Sequence, residues 1–151
     1  MLTTGDHGTA ARILLIEDND GDVFLFSMAL RNAGFPHTLT TIQDGADAME
    51  FLRSLSTSSQ LSPDLILLDI NLPRVDGTTI LDLLRSEPDL QEIPVILLSS
   101  SRSPFDAARV GGIKRSIFIV KPSDLDEFME IGYQVRRFLQ ETREQGVVSS
   151  G

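Results

Sequence analysis

The chain has 151 residues and no cysteine, and 13 Lys plus Arg against 22 Asp plus Glu leave a formal net charge of −9. This suits one domain; it excludes disulfides, thiolate metal sites and a cysteine nucleophile, and argues against nucleic-acid or anionic-membrane partners, which need clustered Lys and Arg. No apolar run approaches the roughly 20 residues that cross a bilayer, and Met1 to Ala10 lacks the pattern of a signal peptide, so a cytoplasmic location is expected.

Residues 1–10 are polar and read as a flexible tail, as do residues 145–151, leaving one folded domain over 11–144. Ile13-Leu14-Leu15-Ile16 is a short apolar run closed by acids, the pattern of a strand buried on both faces. Asp20 to Ala33 has helical spacing and stops at Gly34. His37 to Ile42 alternates and reads as a strand, broken by Asp44-Gly45. A second helix follows around Ala46 to Leu52, then a Ser-rich loop over Ser54 to Ser62. Leu65 to Leu68 is a third strand ending in Asp69, and a turn with Pro73 and Gly77 leads to a helix over Thr79 to Arg85. Pro94 to Leu98 is a fourth strand, ending in Ser99. A short helix is expected over Pro104 to Val110, ended by Gly111-Gly112. Ile117 to Val120 is a fifth strand before Lys121-Pro122, and Ser123 is the expected cap of a last helix running to about Glu144.

Five strands alternate with five helices, and four of the strands are continuous apolar runs. That predicts an α/β fold: a parallel sheet covered on both faces, wound into a three-layer doubly wound sandwich. In such folds the site lies beyond the carboxyl ends of the strands. The residues at those ends are Glu17-Asp18, Asp69, Ser99 and Lys121. Crowded carboxylates either raise one pKa or admit a cation. An all-oxygen set with room for water suits Mg²⁺. Lysine offers a compact charge for a phosphoryl oxygen, serine a hydroxyl donor, and an aspartate can accept phosphate covalently.

With these residues in place the chain resembles a response regulator receiver domain, over roughly Arg12 to Leu139. The resemblance is carried by Leu15-Ile16-Glu17-Asp18, by the segment from Asp64 through Asp69 to Pro73 and Gly77, by Ile93-Pro94 running to Ser99, and by Val120-Lys121-Pro122. The loop after the second helix and Ile93-Pro94 are similar to the stand-alone regulators paired with bacterial phytochromes. The resemblance implies a five-stranded sheet in the flavodoxin-like order 2-1-3-4-5, with a receiver domain over 11–144. It implies that Asp69 accepts a phosphoryl group from a sensor histidine kinase or a histidine phosphotransfer protein. It also implies direct Mg²⁺ ligation by Asp18 and Asp69, a ligand from the backbone carbonyl of Asn71, and Glu17 helping through water. Lys121 then contacts the phosphoryl oxygens, Ser99 moves inward to the phosphate, Phe118 follows as the aromatic switch, and the Lys121–Pro122 bond is cis. The domain is expected to assist its own phosphorylation and dephosphorylation rather than to act as an enzyme.

Some residues depart from the family pattern. Glu-Asp replaces Asp-Asp, Ser99 stands where Thr is commoner, Phe118 lacks the hydroxyl of the frequent Tyr, and Lys114-Arg115 replaces the usual Gly-Ala. Other readings fit less well. Asp-nucleophile phosphatases and metal-dependent nucleic-acid enzymes generally want a second acid where Asn71 stands. A flavodoxin-like cofactor carrier needs a phosphate-cradling loop, whereas Glu17-Asp18-Asn19-Asp20 repels phosphate. A degenerate receiver serving only as a binding module would have no need of the intact set. Asp20 and Asp22 read as acids favoured by the helix macrodipole, and His7 and His37 as structural or surface residues; the resemblance implies that Ser101 and Asn71 stand at positions that tune phosphate lifetime. On the last helix Leu125, Phe128, Met129, Val135 and Leu139 are expected to face the core. Ile131 and Phe138 widen the apolar arc, which either sinks into the core or forms a homodimer face with the fourth helix and fifth strand.

Overall fold

The computed structural model describes residues 10–55, 62–73, 75, 77–100 and 115–150. The elements are β1 (Ala11–Ile16), α1 (Asp20–Asn32), β2 (His37–Ile42), α2 (Gly45–Leu55), β3 (Leu65–Asp69), α3 (Gly77–Ser86), β4 (Val95–Ser99), β5 (Ser116–Val120) and α4 (Leu125–Ser150). The expected helix over Pro104 to Val110, Gly111-Gly112, Ser101, Lys114 and His7 lie outside the described residues, as does most of the expected N-terminal tail and Ser-rich loop.

The five strands form one sheet in the order β2-β1-β3-β4-β5. Every pairing is parallel, with Ile13 opposite Leu65, Ile66 opposite Val95 and Val95 opposite Ser116. The apolar runs sit where such a sheet needs them. β3 and β4 are buried at every position. Alternate side chains go to opposite faces. Leu14, Ile16, Ile66, Leu68 and Leu97 pack with α2 and α3. Ile13, Leu15, Leu67, Ile96 and Leu98 pack with α1 and α4. β2, at the edge, alternates in burial as its sequence alternates.

Caps set the helix ends that face the site. Asn19 accepts from the Asp22 N–H at 2.9 Å and opens α1, while Gly34, at φ 73°, takes the left-handed conformation just past its end. Asp44 accepts from the Ala46 N–H at 2.7 Å at the start of α2. The cap of α4 is Asp124, whose carboxylate accepts from the Glu127 N–H at 3.1 Å, and not Ser123. A carboxylate one residue closer to the first turn is the better acceptor for its N–H groups. α4 also runs past its expected end near Glu144 to Ser150. Gly146 alone does not stop it, because a glycine inside a helix costs only about 1 kcal/mol and no proline follows.

The helices α1 and α4 meet closely. Phe26 and Phe128 pack edge to face with ring centroids 4.8 Å apart. At Gly132 an added Cβ would stand 2.0 Å from the Ala29 carbonyl oxygen. Arg136 Nη1 donates to the Ala33 carbonyl at 2.8 Å. The pairs ascend together, so the two helices run the same way. Ile131 and Phe138, which widen the apolar arc of α4, are buried in this layer, whereas Leu125 is exposed rather than turned to the core. Leu125 is the first residue of the helix, just past the loop that leaves β5. No helix among the described residues is long and apolar enough to cross a membrane.

Candidate functional site

Three strands deliver their carboxyl ends to one place. β1 ends at Ile16 and hands on Glu17 and Asp18; β3 ends at Asp69; β5 ends one residue before Lys121. Glu17 is fully buried and Asp69 is 3% exposed, while Asp18 faces solvent. One carboxylate oxygen from each of Glu17, Asp18 and Asp69 lies within 4.8 Å of the others. The main chain fixes this arrangement. The Glu17 N–H donates to Ile42 at 3.1 Å, the Ile70 N–H to Leu98 at 3.0 Å, and the Lys121 N–H to Ser99 at 2.7 Å.

The Lys121 ammonium stands at the centre. Its Nζ donates to Glu17 Oε1 at 2.9 Å, to Asp22 Oδ2 at 2.8 Å and to Asp69 Oδ2 at 3.1 Å. The second oxygen of Asp69 accepts from the Asn71 N–H at 2.8 Å. Ser99, buried at the end of β4, donates its hydroxyl to Asn71 Oδ1 at 3.2 Å. Phe118 is half-buried on β5, opposite Leu97, and packs on the α2–α3 side of the sheet. The structure thus gathers Glu17, Asp18, Asp69 and Lys121, with Ser99 and Asn71 beside them and Phe118 farther back on β5.

The electrostatics follow from burial. Desolvation pushes the Glu17 carboxyl up to about 7; Asp69 pushes the same way through hydrogen bond and charge, and Lys121 opposes both. For Lys121, burial by itself would favour the neutral amine, but its contacts with Asp22 and Glu17 and the charge of Asp69 outweigh this, and its pKa lies above the ordinary lysine value.

The raised Glu17 pKa has a consequence for stability. The ordinary value is 4.5, so between 4.5 and about 7 the folded chain holds a proton that the unfolded chain has lost. The contribution is full below the lower value and is lost as pH rises through the upper one. Wild-type protein without divalent cation is therefore expected to lose stability against Glu17→Gln across that window, by on the order of 3 kcal/mol. Denaturant melts at pH 5 and pH 8 measure this, and a divalent cation is expected to shrink the difference.

Asp22 is the contact that reading the sequence missed. An acid in the first turn of a helix is favoured by the macrodipole whatever else it touches. The available signal was its place four residues after Asp18, on the turn that leaves the strand end. Asp20 behaves differently, accepting from Gln43 Nε2 at 2.5 Å. His37 has the structural role expected, its Nδ1 2.9 Å from the Phe35 carbonyl. The Lys121–Pro122 bond corrects one expectation. No cis peptide occurs among the described residues, so this bond is trans, the form that X–Pro bonds favour by about 0.5–1 kcal/mol.

All donors offered to a cation here are hard carboxylate oxygens, and one of the three carboxylates is open to solvent. This matches an ion such as Mg²⁺ or Mn²⁺ that keeps part of its water. The same residues occur in a known setting. The family model for the response regulator receiver domain matches residues 13–132. Response regulator Rcp1 of Synechocystis is 32% identical over 131 residues, spanning 86% of this chain and 89% of Rcp1. The phosphorylated cyanobacterial phytochrome response regulator RcpA superposes with a TM-score of 0.78 at 35% identity, covering 89% of this chain and 96% of RcpA. The Mn²⁺-bound form of Rcp1 superposes with a TM-score of 0.74 at 31% identity, covering 85% of this chain and 93% of that one. Receiver domains bind a divalent metal and work with histidine kinases or phosphotransfer proteins in two-component signalling. By fold, by its convergent acids and lysine, and by these relatives, the chain belongs to the response regulator receiver domain family.

Proposed function

We propose that Asp69 is the phosphoryl acceptor of this domain, that Mg²⁺ is its ion, and that the phosphorylated form switches a protein-contact surface. One observation carries the reading most: the Lys121 ammonium lies 3.1 Å from Asp69 Oδ2, next to three clustered carboxylates. An Asp69 carboxylate oxygen forms the new bond to phosphorus. The bond from phosphorus to the donor histidine nitrogen breaks, and the nitrogen keeps the electron pair. Lys121 moves no proton; it supplies charge to the phosphoryl oxygens. Asp18, Asp69, the Asn71 carbonyl and, through water, Glu17 would hold Mg²⁺, which when bound neutralises charge on the carboxylates and the transferred group. Ser99 turns from Asn71 to the phosphate and Phe118 follows it inward.

The donor in this reading is a sensor histidine kinase in the cytoplasm, and the phytochrome relatives support a light-sensing one. The folded unit is taken as residues 11–144, extended by the continuation of α4 to Ser150. A homodimer through the fourth helix of the sequence reading, β5 and α4 belongs to the same proposal, supported by Ile117 and Leu125, which are exposed on β5 and α4. Sedimentation with and without beryllofluoride tests the dimer; a strict monomer in both states counts against it.

The phosphorylation test is a mass measurement. Incubation with a phosphorylated cognate kinase and Mg²⁺ is expected to add one phosphoryl group, which borohydride reduction maps to Asp69. Lack of any added mass with an active cognate kinase would remove the proposal.

A further inference from the structure

We infer that Asp22 is a positioning residue: it holds the Lys121 ammonium at the place where a phosphoryl oxygen arrives. The inference rests on Asp69 being the acceptor. An ammonium has three N–H donors. Here they go to Glu17, Asp22 and Asp69, at 2.9, 2.8 and 3.1 Å. Glu17 and Asp69 belong to the carboxylate group suited to a cation, and Asp22 is not in that group. A cation draws two of the three partners of Lys121 toward itself. Asp22 is then the carboxylate left to the ammonium.

Its place is prepared independently of the metal. The Asp22 N–H donates to Asn19 Oδ1 at 2.9 Å, and the Val23 N–H to the Asn19 carbonyl at 2.9 Å, so the turn is fixed by its cap. Asp20, two residues earlier, is taken by Gln43 and does not compete. The lysine stem is long and flexible; its main chain is pinned to Ser99 at 2.7 Å, and its ammonium is placed by the carboxylates it meets. Without Asp22 the ammonium settles on Glu17 and Asp69, across the path of the incoming group. A charged neighbour is needed for this, not a helix-favouring acid alone.

The test uses the full chain, Asp22→Ala and Asp22→Asn, each also in a Lys121→Ala background. The readouts are thermal melting, Mn²⁺ affinity from the electron paramagnetic resonance of the free ion, beryllofluoride binding by fluorine NMR, and phosphoryl uptake from acetyl phosphate or a kinase at saturating Mg²⁺. Asp22→Ala is expected to slow uptake about tenfold and weaken beryllofluoride binding by a similar factor, with Asp22→Asn intermediate. Mn²⁺ affinity is expected to change by less than about threefold, because Asp22 stands outside the ligand group. In the Lys121→Ala background, Asp22→Ala is expected to add nothing further. Uptake by Asp22→Ala at the wild-type rate overturns the inference. So does a loss that follows Mn²⁺ affinity alone, or one that persists undiminished without Lys121. A wild type that takes up neither phosphoryl nor beryllofluoride removes the acceptor reading itself, and this inference with it. A phosphorylated wild type with an indifferent Asp22→Ala removes only the inference.

Discussion

Replacing Asp69 with asparagine is expected to abolish phosphoryl uptake while the domain stays folded. In the proposed reading the carboxylate oxygen is the nucleophile, and an amide in its place forms no acyl phosphate, so labelling is expected to fall by at least ~1000-fold. The neighbours tolerate the change. The amide oxygen still accepts from the Asn71 N–H, now at 2.8 Å from Asp69. The contact with Lys121 Nζ at 3.1 Å is lost, but Glu17 and Asp22 keep the ammonium paired. One negative charge leaves a crowded buried cluster, which reduces repulsion. The melting temperature in metal-free buffer is therefore expected to hold or rise. The same substitution removes one of the causes that raise Glu17, so the loss of stability with rising pH is expected to become shallower. Intact mass after exposure to kinase and Mg²⁺, together with melts across pH, checks all three outcomes. An Asp69→Asn protein that still gains a phosphoryl group would move the acceptor to another side chain.

A large loss of stability from packing alone is expected for Gly132→Ala. A methyl group there would stand 2.0 Å from the Ala29 carbonyl oxygen, 2.6 Å from its carbon and 3.2 Å from the Ala33 Cβ. The first two are backbone atoms of α1, so no side-chain rotation relieves the clash and the helices must separate. Overpacking of this kind costs about 3 kcal/mol, against about 1 kcal/mol regained from the better helix propensity of alanine. Separation also strains the Phe26–Phe128 contact and the Arg136 bond to Ala33 on either side. A clear fall in the midpoint of urea unfolding is expected. A second effect is functional, because α1 carries Asp22 toward Lys121. A Gly132→Ala protein with unchanged stability would mean that α1 and α4 do not meet as closely as described.

Most of the fold was legible because a doubly wound sheet leaves strong marks. Strands buried on both faces need continuous apolar runs, and Leu65 to Leu68 and Val95 to Leu98 have little else they could be. The rule that chemistry collects at the carboxyl ends of such strands then placed Glu17, Asp18, Asp69, Ser99 and Lys121 near one another before any coordinates. What stayed hidden was local competition between equivalent choices. Ser123 and Asp124 both cap helices well, and only the path of the chain selects Asp124. Leu125 fits an apolar arc by angle, yet at the first position of the helix it is exposed. Asp22 had a sufficient local reason to be acidic, and its partner lies 99 residues away.

The saturated ammonium of Lys121 bears on what the domain ignores. Four acidic side chains surround one cationic one, and even a divalent ion leaves the formal balance negative. Free phosphate and sulfate meet a repulsive field and, as long as no cation draws Glu17 and Asp69 away, a lysine whose three protons are already taken. In the proposed reading such a pocket stays silent in their presence, and a group takes up residence only by bonding to the Asp69 carboxylate. Immunity to false signals is thus built into the same charges that make the true one possible.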